Sequence, residues 1–339
     1  MKKFPIATQE IGSIRKPKWL VKLLQNKDIS EEIKQTARDD MSLLNLKMFE
    51  DVGLDVVYDG EAKRVEMYEY SVRRIEGITL AGKIRSWDNK YYNKGRCIKK
   101  VKYKGPYHLD EFMFIKNNAK RMIKLPITGA YTLADWSYNE CYKSKEDFVI
   151  DLSRKIIRPL IRDLVKAGAD FIQIDEPAAT THPDEIDLVV DSFNESIKGI
   201  NAKFGIHICY SGNYSDMYPQ VLEMKNHQYE LEFANRDSWS KGVQHSKRNG
   251  YSSFLKTFRE YREKKEIGLG VLDVHVDEIE PIEIIRDRIL YAVKIVDDPN
   301  LIHVNPDCGL RTRSREISFA KLKNMVSGAR LAKRTLGLI

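Results

Sequence analysis

The sequence predicts an α/β fold of the (β/α)8 TIM-barrel type, on three observations. Short apolar runs alternate with longer amphipathic stretches along the chain, eight strand-then-helix units can be counted, and polar residues suited to chemistry gather where the strand runs end. A doubly wound sheet accommodates the alternation less well than eight units in one chain.

The first strand is expected over Pro5–Ser13, with a helix from Lys18 to about Asn26. Ser30, Glu31 and Glu32 open a long amphipathic helix that ends at Val52 before Gly53. Leu54–Tyr58 reads as a short strand closed by Asp59–Glu61, and Ala62–Ile75 as helical. Residues 77–105 break the rhythm: Ile78–Trp87 and Tyr91–Tyr103 read as two strands around Asp88-Asn89-Lys90, a β-hairpin inserted around residues 78–104.

Helix Asp110–Ala119 then leads to strand Lys124–Ala130, a loop over Thr132–Ser137 and a long helix Lys145–Ala167, in which Pro159 predicts a kink or break. The remaining strands are Phe171–Ile174, Gly205–Cys209, Tyr229–Phe233, Ile267–Val274 and Leu301–Val304. Their helices are Pro183–Ile197, Tyr218–Lys225, Ser252–Lys264, Pro281–Val296 and Glu316–Thr335. No repeat, low-complexity tract or linker divides the chain, so one domain over residues 1–339 is expected.

Composition narrows the function classes. No apolar run approaches the ~18 residues that span a bilayer and no secretion signal opens the chain, so a cytoplasmic protein with no membrane partner is expected. Cys97, Cys141, Cys209 and Cys308 lie far apart, which favours reduced thiols or metal ligands over a disulfide framework. The formal charge of +8 reads as basic residues interleaved with 49 acidic ones, hence solvated helix faces and no nucleic-acid partner, with an acidic substrate tail or an acidic partner protein as the second reading.

The chemistry centres on Phe204–Tyr210, F-G-I-H-I-C-Y. His207 and Cys209 are two apart on a strand and leave the same face. With Glu232 and Cys308, each at another strand end, they make a sensible zinc set of imidazole, carboxylate and two thiolates. Such a site has a net charge of about −1 and suits activation of a bound thiol better than activation of water. The competing account makes Cys209 and Cys308 small core residues, His207 a satisfied core histidine and Glu232 a partner of Arg236.

Other strand ends also carry two readings. Asp175 and Glu176 in I-Q-I-D-E-P could hold a substrate ammonium group or cap a helix, as could Asp59 and Glu61 in D-G-E. His275 is either an acid–base group or a core histidine. Trp136 offers a flat surface for a heteroaromatic ring or plugs the mouth of the barrel. G-L-G at Gly268–Gly270 lacks the glycine pattern of a phosphate loop.

Several stretches together resemble the catalytic half of the cobalamin-independent methionine synthases. They are I-G-S at Ile11–Ser13, D-G-E at Asp59–Glu61, G-R-C at Gly95–Cys97, D-W-S at Asp135–Ser137 and I-Q-I-D-E-P-A at Ile172–Ala178. H-I-C-Y-S at His207–Ser211, D-V-H at Asp273–His275 and V-N-P-D-C-G-L-R-T-R at Val304–Arg313 complete the series in family order. The resemblance implies one Zn2+ per chain on His207, Cys209, Glu232 and Cys308. It implies homocysteine held by Ile11, Gly12, Ser13, Glu61 and Asp175, with the carboxylates on its ammonium group. Arg96, Cys97 and Trp136 match residues near the methyl donor, and His275 matches the proton donor.

Two departures bear on the donor. The chain leaves no room for the second, N-terminal barrel of the family's long members, and Thr181 stands where folate-using members carry a glutamate. Methylcobalamin or a methylated corrinoid protein is therefore ranked ahead of methyl-tetrahydrofolate or its methanopterin analogue, and the basic insertion Lys83–Lys104 could serve such a partner. Rival expectations are methyl transfer to coenzyme M, which has no ammonium group for Asp175 and Glu61, a non-catalytic zinc-stabilised barrel that binds an acidic partner, and a decarboxylase on a related barrel, which would not need the cysteines.

Overall fold

The computed structural model describes residues 4–85, 91–209, 213–261 and 264–339. Strand β1 is only Ala7–Thr8, shorter than the expected run, and helix α1 is Lys18–Gln25. Ser30 caps the long helix α2, Glu31–Val52, by accepting from the Ile33 amide, while Glu31 and Glu32 place negative charge at its positive end. Gly53 ends the helix in the left-handed region at φ 88°, where a β-carbon would also meet the Arg330 guanidinium at 2.9 Å.

Strand β2 is Val56–Val57, and α3 is Met67–Val72, capped by Glu66. The inserted hairpin is present as β3, Glu76–Arg85, and β4, Tyr91–Lys102, antiparallel with Ile78 opposite Cys97 and Lys83 opposite Asn93. Its expected turn, Asp88-Asn89-Lys90, lies outside the described residues, as do Tyr210 and Ser211. Helix α4, Leu109–Asn118, leads through β5, Met122–Ile123, to β6, Leu125–Thr128.

Most of Thr132–Ser137, expected as a loop, is helix α5, Ala130–Asp135, followed by β7, Ser137–Asn139. Glu176 explains the difference: its carboxylate accepts from the Tyr131 amide at 3.1 Å and the Thr132 amide at 2.7 Å, groups a six-residue helix cannot satisfy itself. The long helix breaks beside Pro159 into α6, Lys145–Leu152, a wide π turn, Ser153–Ile157, and α7, Arg158–Lys166. A proline brings no amide and its ring crowds the carbonyl four residues back; the wider turn absorbs both.

Strand β8, Phe171–Asp175, helix α8, Ile186–Ile197, and strand β9, Lys203–Ile208, follow. The helix expected over Tyr218–Lys225 does not form. Two 3-10 turns, Tyr214–Met217 and Gln220–Glu223, flank a cis Tyr218–Pro219 bond there, because Pro219 gives no amide to a helix started upstream. The rest follow expectation: β10, Gln228–Leu231; α9, Asn249–Glu260; β11, Glu266–Leu272; α10, Ile282–Val296; β12, Ile302–Pro306; and α11, Arg315–Thr335. Among the described residues no helix is long and apolar enough to cross a membrane.

The fold is mixed α/β, with a curled parallel sheet of half-barrel type. Its elements fall into two compact units. The first contains Met1–Lys63, Phe114–Lys124 and His227–Ile339. Its parallel strands run β1-β12-β11-β10, and a Gln9–Val56 bridge links β1 to the pair β2-β5. Polar side chains line part of this sheet: Gln9 donates to Gln228 at 3.0 Å and to Asn305 at 3.1 Å, and the buried Lys124 ammonium is 3.2 Å from Glu230. At Gly268 a β-carbon would sit 2.5 Å from Asn305 Oδ1 and 2.8 Å from Glu230, so the glycine makes room for that network.

The second unit contains Arg64–Met113 and Leu125–Asn226. Here β6-β8-β9 are parallel, with Ile127 level with Ile174 and Ile174 level with Ile206, and β3-β4-β7 form a separate three-stranded sheet. Arg64 is fully buried in this unit. Its guanidinium meets Glu111 at 2.8 and 2.9 Å and donates to the Pro126 carbonyl at 2.8 Å. His108, 3.4 Å from the same carboxylate, has its pKa pushed down to about 4 by burial and then by Arg64, so it is neutral near pH 7.

Candidate metal centre and substrate site

In the second unit β9 ends at Ile208, so His207 and Cys209 stand at the end of the strand, both buried. Parallel pairing sets His207 level with Asp175 on β8, and the Glu176 amide donates to the His207 carbonyl at 2.9 Å. Asp175 is buried and accepts from Gln173 Nε2 at 2.6 Å. Adjacent strand ends thus put a carboxylate beside the imidazole.

Trp136 follows α5 and belongs to a ring cluster with Tyr68 and Tyr92, centroid separations 5.5–5.7 Å. The Tyr68 hydroxyl donates to the Trp136 carbonyl at 2.8 Å and accepts from the Gly95 amide at 2.6 Å. A β-carbon at position 95 would lie 2.6 Å from that hydroxyl, which is why G-R-C needs its glycine. Arg96 and Cys97 leave opposite faces of β4: Arg96 is exposed and 3.0 Å from Glu140, whereas Cys97 is buried with its thiol donating to the Lys99 carbonyl. Burial pushes the Cys97 thiol up to about 11, so it stays protonated.

The first unit brings I-G-S, D-G-E and D-C-G together. Gly309 packs so tightly on Ile11–Ser13 that a β-carbon would meet the Ser13 amide at 2.7 Å and its carbonyl at 3.0 Å. Position 12 faces Gly309 Cα at 3.7 Å and Glu61 Oε1 at 3.8 Å from its would-be β-carbon. Glu61 is buried and holds a left-handed backbone, φ 57°, which a side-chain-bearing residue adopts only when its surroundings impose it. Gly309→Ala is expected to cost about 1–3 kcal/mol of stability, since backbone atoms cannot move aside. An unchanged urea midpoint would contradict this packing.

Asp307 organises the other side of Cys308. Fully buried, its carboxylate accepts from the amides of Phe233 at 3.0 Å, Ala234 at 3.0 Å and Asn235 at 2.8 Å, and so fixes the turn that follows Glu232. Burial, then the Glu232 charge, raise its pKa well above the usual range against those three amides. Gly270 leaves room for it, since a β-carbon there would lie 2.1 Å from Asp307 Oδ1. Glu232 is 2% exposed and has Asn235 Nδ2 at 3.3 Å, Arg236 at 3.9 Å and His275 Nε2 at 4.0 Å. The His275 ring is partly exposed, and its amide donates to Asp273 at 2.8 Å.

Among the described residues, His207, Cys209 and Cys308 offer ligand atoms that all lie within 4.8 Å of one another, a group that could hold a metal ion. One imidazole and two thiols are the donors a borderline-soft cation such as zinc prefers, so the residues fit the metal that the sequence suggested. Glu232, the fourth expected ligand, is not in that group.

Sequence reasoning missed Glu10. Its carboxyl, 4% exposed, is pushed up to about 8 by burial, with Glu61 and Asp59 adding to the rise against Lys124. A glutamate in front of I-G-S carries no periodic signal of this environment. Tyr68 and Tyr92 also escaped notice, because the ring cluster joins positions distant in sequence.

Residues 6–331 match the model of a known family, the catalytic domain of cobalamin-independent synthase. A methionine synthase of Thermoplasma acidophilum is 45% identical over 333 residues, 95% of this chain and 96% of that one. One from Pyrococcus furiosus is 40% identical over 336 residues, 98% of this chain and 94% of that one. Among solved structures, a B12-independent methionine synthase from Shewanella sp. W3-18-1 in complex with selenomethionine superposes with a TM-score of 0.84 at 23% identity, covering 99% of this chain and 100% of that one. That last likeness speaks for the fold alone.

Proposed function

Because the chain belongs to the cobalamin-independent methionine synthase family, we propose that it is a cytoplasmic, zinc-dependent methyltransferase that forms methionine from homocysteine. One observation carries the reading: a histidine and two cysteines whose ligand atoms converge within 4.8 Å. A complete eight-stranded (β/α)8 ring is part of the proposal, supported by the eight strand-helix units and by the Gln9–Val56 bridge that extends the first unit's sheet.

His207, Cys209 and Cys308, with Glu232 as fourth ligand, would hold the zinc. Bound there, it would lower the pKa of a substrate thiol from its ordinary ~8.5, so that the sulfur reacts as thiolate. The chain's own groups do the rest. Asp175 and Glu61, both buried, take the substrate ammonium group, where a low dielectric strengthens the pairing. Ile11, Gly12 and Ser13 line the amino-acid end, which the close approach of Gly309 keeps narrow. His275, 4.0 Å from Glu232 and partly open to solvent, moves a proton to or from the donor side. Trp136, stiffened by Tyr68 and Tyr92, supplies an apolar wall for the methyl donor, with Arg96 and Cys97 on the adjoining strand.

Two features pull the donor in opposite directions. Thr181 in place of a glutamate favours a corrinoid, whereas the family's description as cobalamin-independent favours a pterin. The deciding experiment gives homocysteine methylcobalamin, a methylated corrinoid protein, methyl-tetrahydrofolate or methyl-tetrahydromethanopterin in turn, with and without chelator. Methionine is expected from at least one donor, with roughly a hundredfold or greater loss after metal removal and recovery on adding Zn2+. Activity undiminished in metal-free protein, or no methionine from any donor, would overturn the reading. Coenzyme M in place of homocysteine is expected to be a poor acceptor, since it offers Asp175 and Glu61 no ammonium group.

A further inference from the structure

The chain's formal charge is +8, but it is not spread evenly. From Glu76 to Lys104 there are nine lysines and arginines against two acids, Glu76 and Asp88, so this stretch carries +7 and all the rest +1. The interleaving expected from overall composition therefore gives way to a single concentration of charge on the inserted hairpin.

The sheet β3-β4-β7 sorts these residues by face. Along β4, Gly95, Cys97 and Val101 are buried; the alternate positions Arg96, Ile98, Lys100 and Lys102 are exposed on one face, and Lys99 is exposed on the other. Across the strands Thr79, Arg96 and Tyr138 share one exposed row. Ile98 and Tyr138, 44% and 45% exposed, give the cationic face an apolar centre.

Lysines often guard the free edges of sheets. That account covers Lys83 and Arg85 on β3, and Lys99, Lys100 and Lys102, which lie past the Gly95–Cys97 stretch that pairs with β7, but it does not explain why Ile98 and Tyr138 stand exposed beside them.

We propose that the exposed face of β3-β4-β7 docks an acidic protein. An apolar centre within a charged rim is the anatomy of a protein interface, and a one-sign field of this density steers an oppositely charged partner into a fast, transient encounter. Nucleic acid suits the face less well. Seven of the nine cations in this stretch are lysines rather than phosphate-gripping arginines. Of its two arginines, Arg96 is already held by Glu140 at 3.0 Å. This docking goes beyond the reading of the metal centre and does not depend on it.

The test uses the full chain with two probes of matched charge, poly-L-glutamate and poly-uridylate. Poly-L-glutamate is expected to bind the more tightly and to weaken as salt rises. The variant Lys94→Glu/Lys100→Glu/Lys102→Glu is expected to lose roughly tenfold or more in affinity. A control of equal net charge, Lys27→Glu/Lys120→Glu/Lys241→Glu, should change far less, with folding of both verified by circular dichroism. Should the first variant not fold, Lys94→Glu/Lys102→Glu must still weaken binding more than Lys27→Glu/Lys241→Glu. Equal losses in variant and control, tighter binding of poly-uridylate, or no binding of poly-L-glutamate would each overturn the proposal.

Discussion

Cys308→Ser is expected to yield a folded protein that has lost its metal and at least a thousandfold of its methyl transfer. A serine hydroxyl is a poor ligand for a borderline-soft cation, so the group of His207, Cys209 and Cys308 would fall to two good donors. Zinc as a Lewis acid contributes several kcal/mol, and at about 1.36 kcal/mol per tenfold this corresponds to a factor on the order of 10³. Folding should survive because the turn beside Cys308 is held by Asp307 and its three backbone amides, none of which the substitution touches. Elemental analysis, circular dichroism and initial rates together check it. An unfolded variant would favour a purely structural metal, and a folded, active, zinc-loaded one would remove Cys308 from the ligand set.

The largest expected effect on stability is at Arg64. Replacing it by Met leaves the Glu111 carboxylate, 2% exposed, without its cation, a change that costs about 3–5 kcal/mol when one member of a buried pair is removed. Burial alone would raise the Glu111 pKa, but Arg64 and His108 together outweigh burial and hold it below the ordinary 4.5. The stabilisation is therefore present above pH 4.5 and is lost as acid protonates Glu111 within the fold, so the wild-type advantage should shrink in acid. Arg64→Met/Glu111→Leu, which removes both charges, is expected to recover most of the loss in urea denaturation. A single variant within 1 kcal/mol of wild type, or a double variant no better than the single, would contradict this account.

Strand-helix alternation was legible because each unit carries its own signal: β-branched apolar runs for strands, amphipathic periodicity for helices, and Ser30, Gly53 and Pro159 as punctuation. Legibility failed where a distant residue decides the local structure. Helix α5 exists because Glu176, some forty residues on, serves its first amides, and nothing in A-Y-T-L-A-D announces that. Over Tyr218–Lys225 a helix was expected from the strand-helix alternation, and the backbone obeyed Pro219 instead. In the candidate site, H-x-C and a remote cysteine sufficed to suggest the metal group. The buried carboxylate of Glu10 and the Tyr68–Tyr92–Trp136 rings did not show, because burial and ring contact belong to the folded chain. The basic character of the insertion was legible in the sequence, whereas its sorting onto the faces of a sheet needed the strand register.

Strand β4 has a consequence for how such a protein can diverge. Positions along it answer to different selective pressures: Gly95, Cys97 and Val101 are constrained by packing, Gly95 to within the width of a methyl group, while Arg96, Ile98 and Lys102 are exposed. Lineages can rewrite the exposed and the buried residues separately. Recognition can then drift from one host to another without disturbing the inner positions, and a relative with a neutral or acidic hairpin would be a sign of changed company rather than changed catalysis.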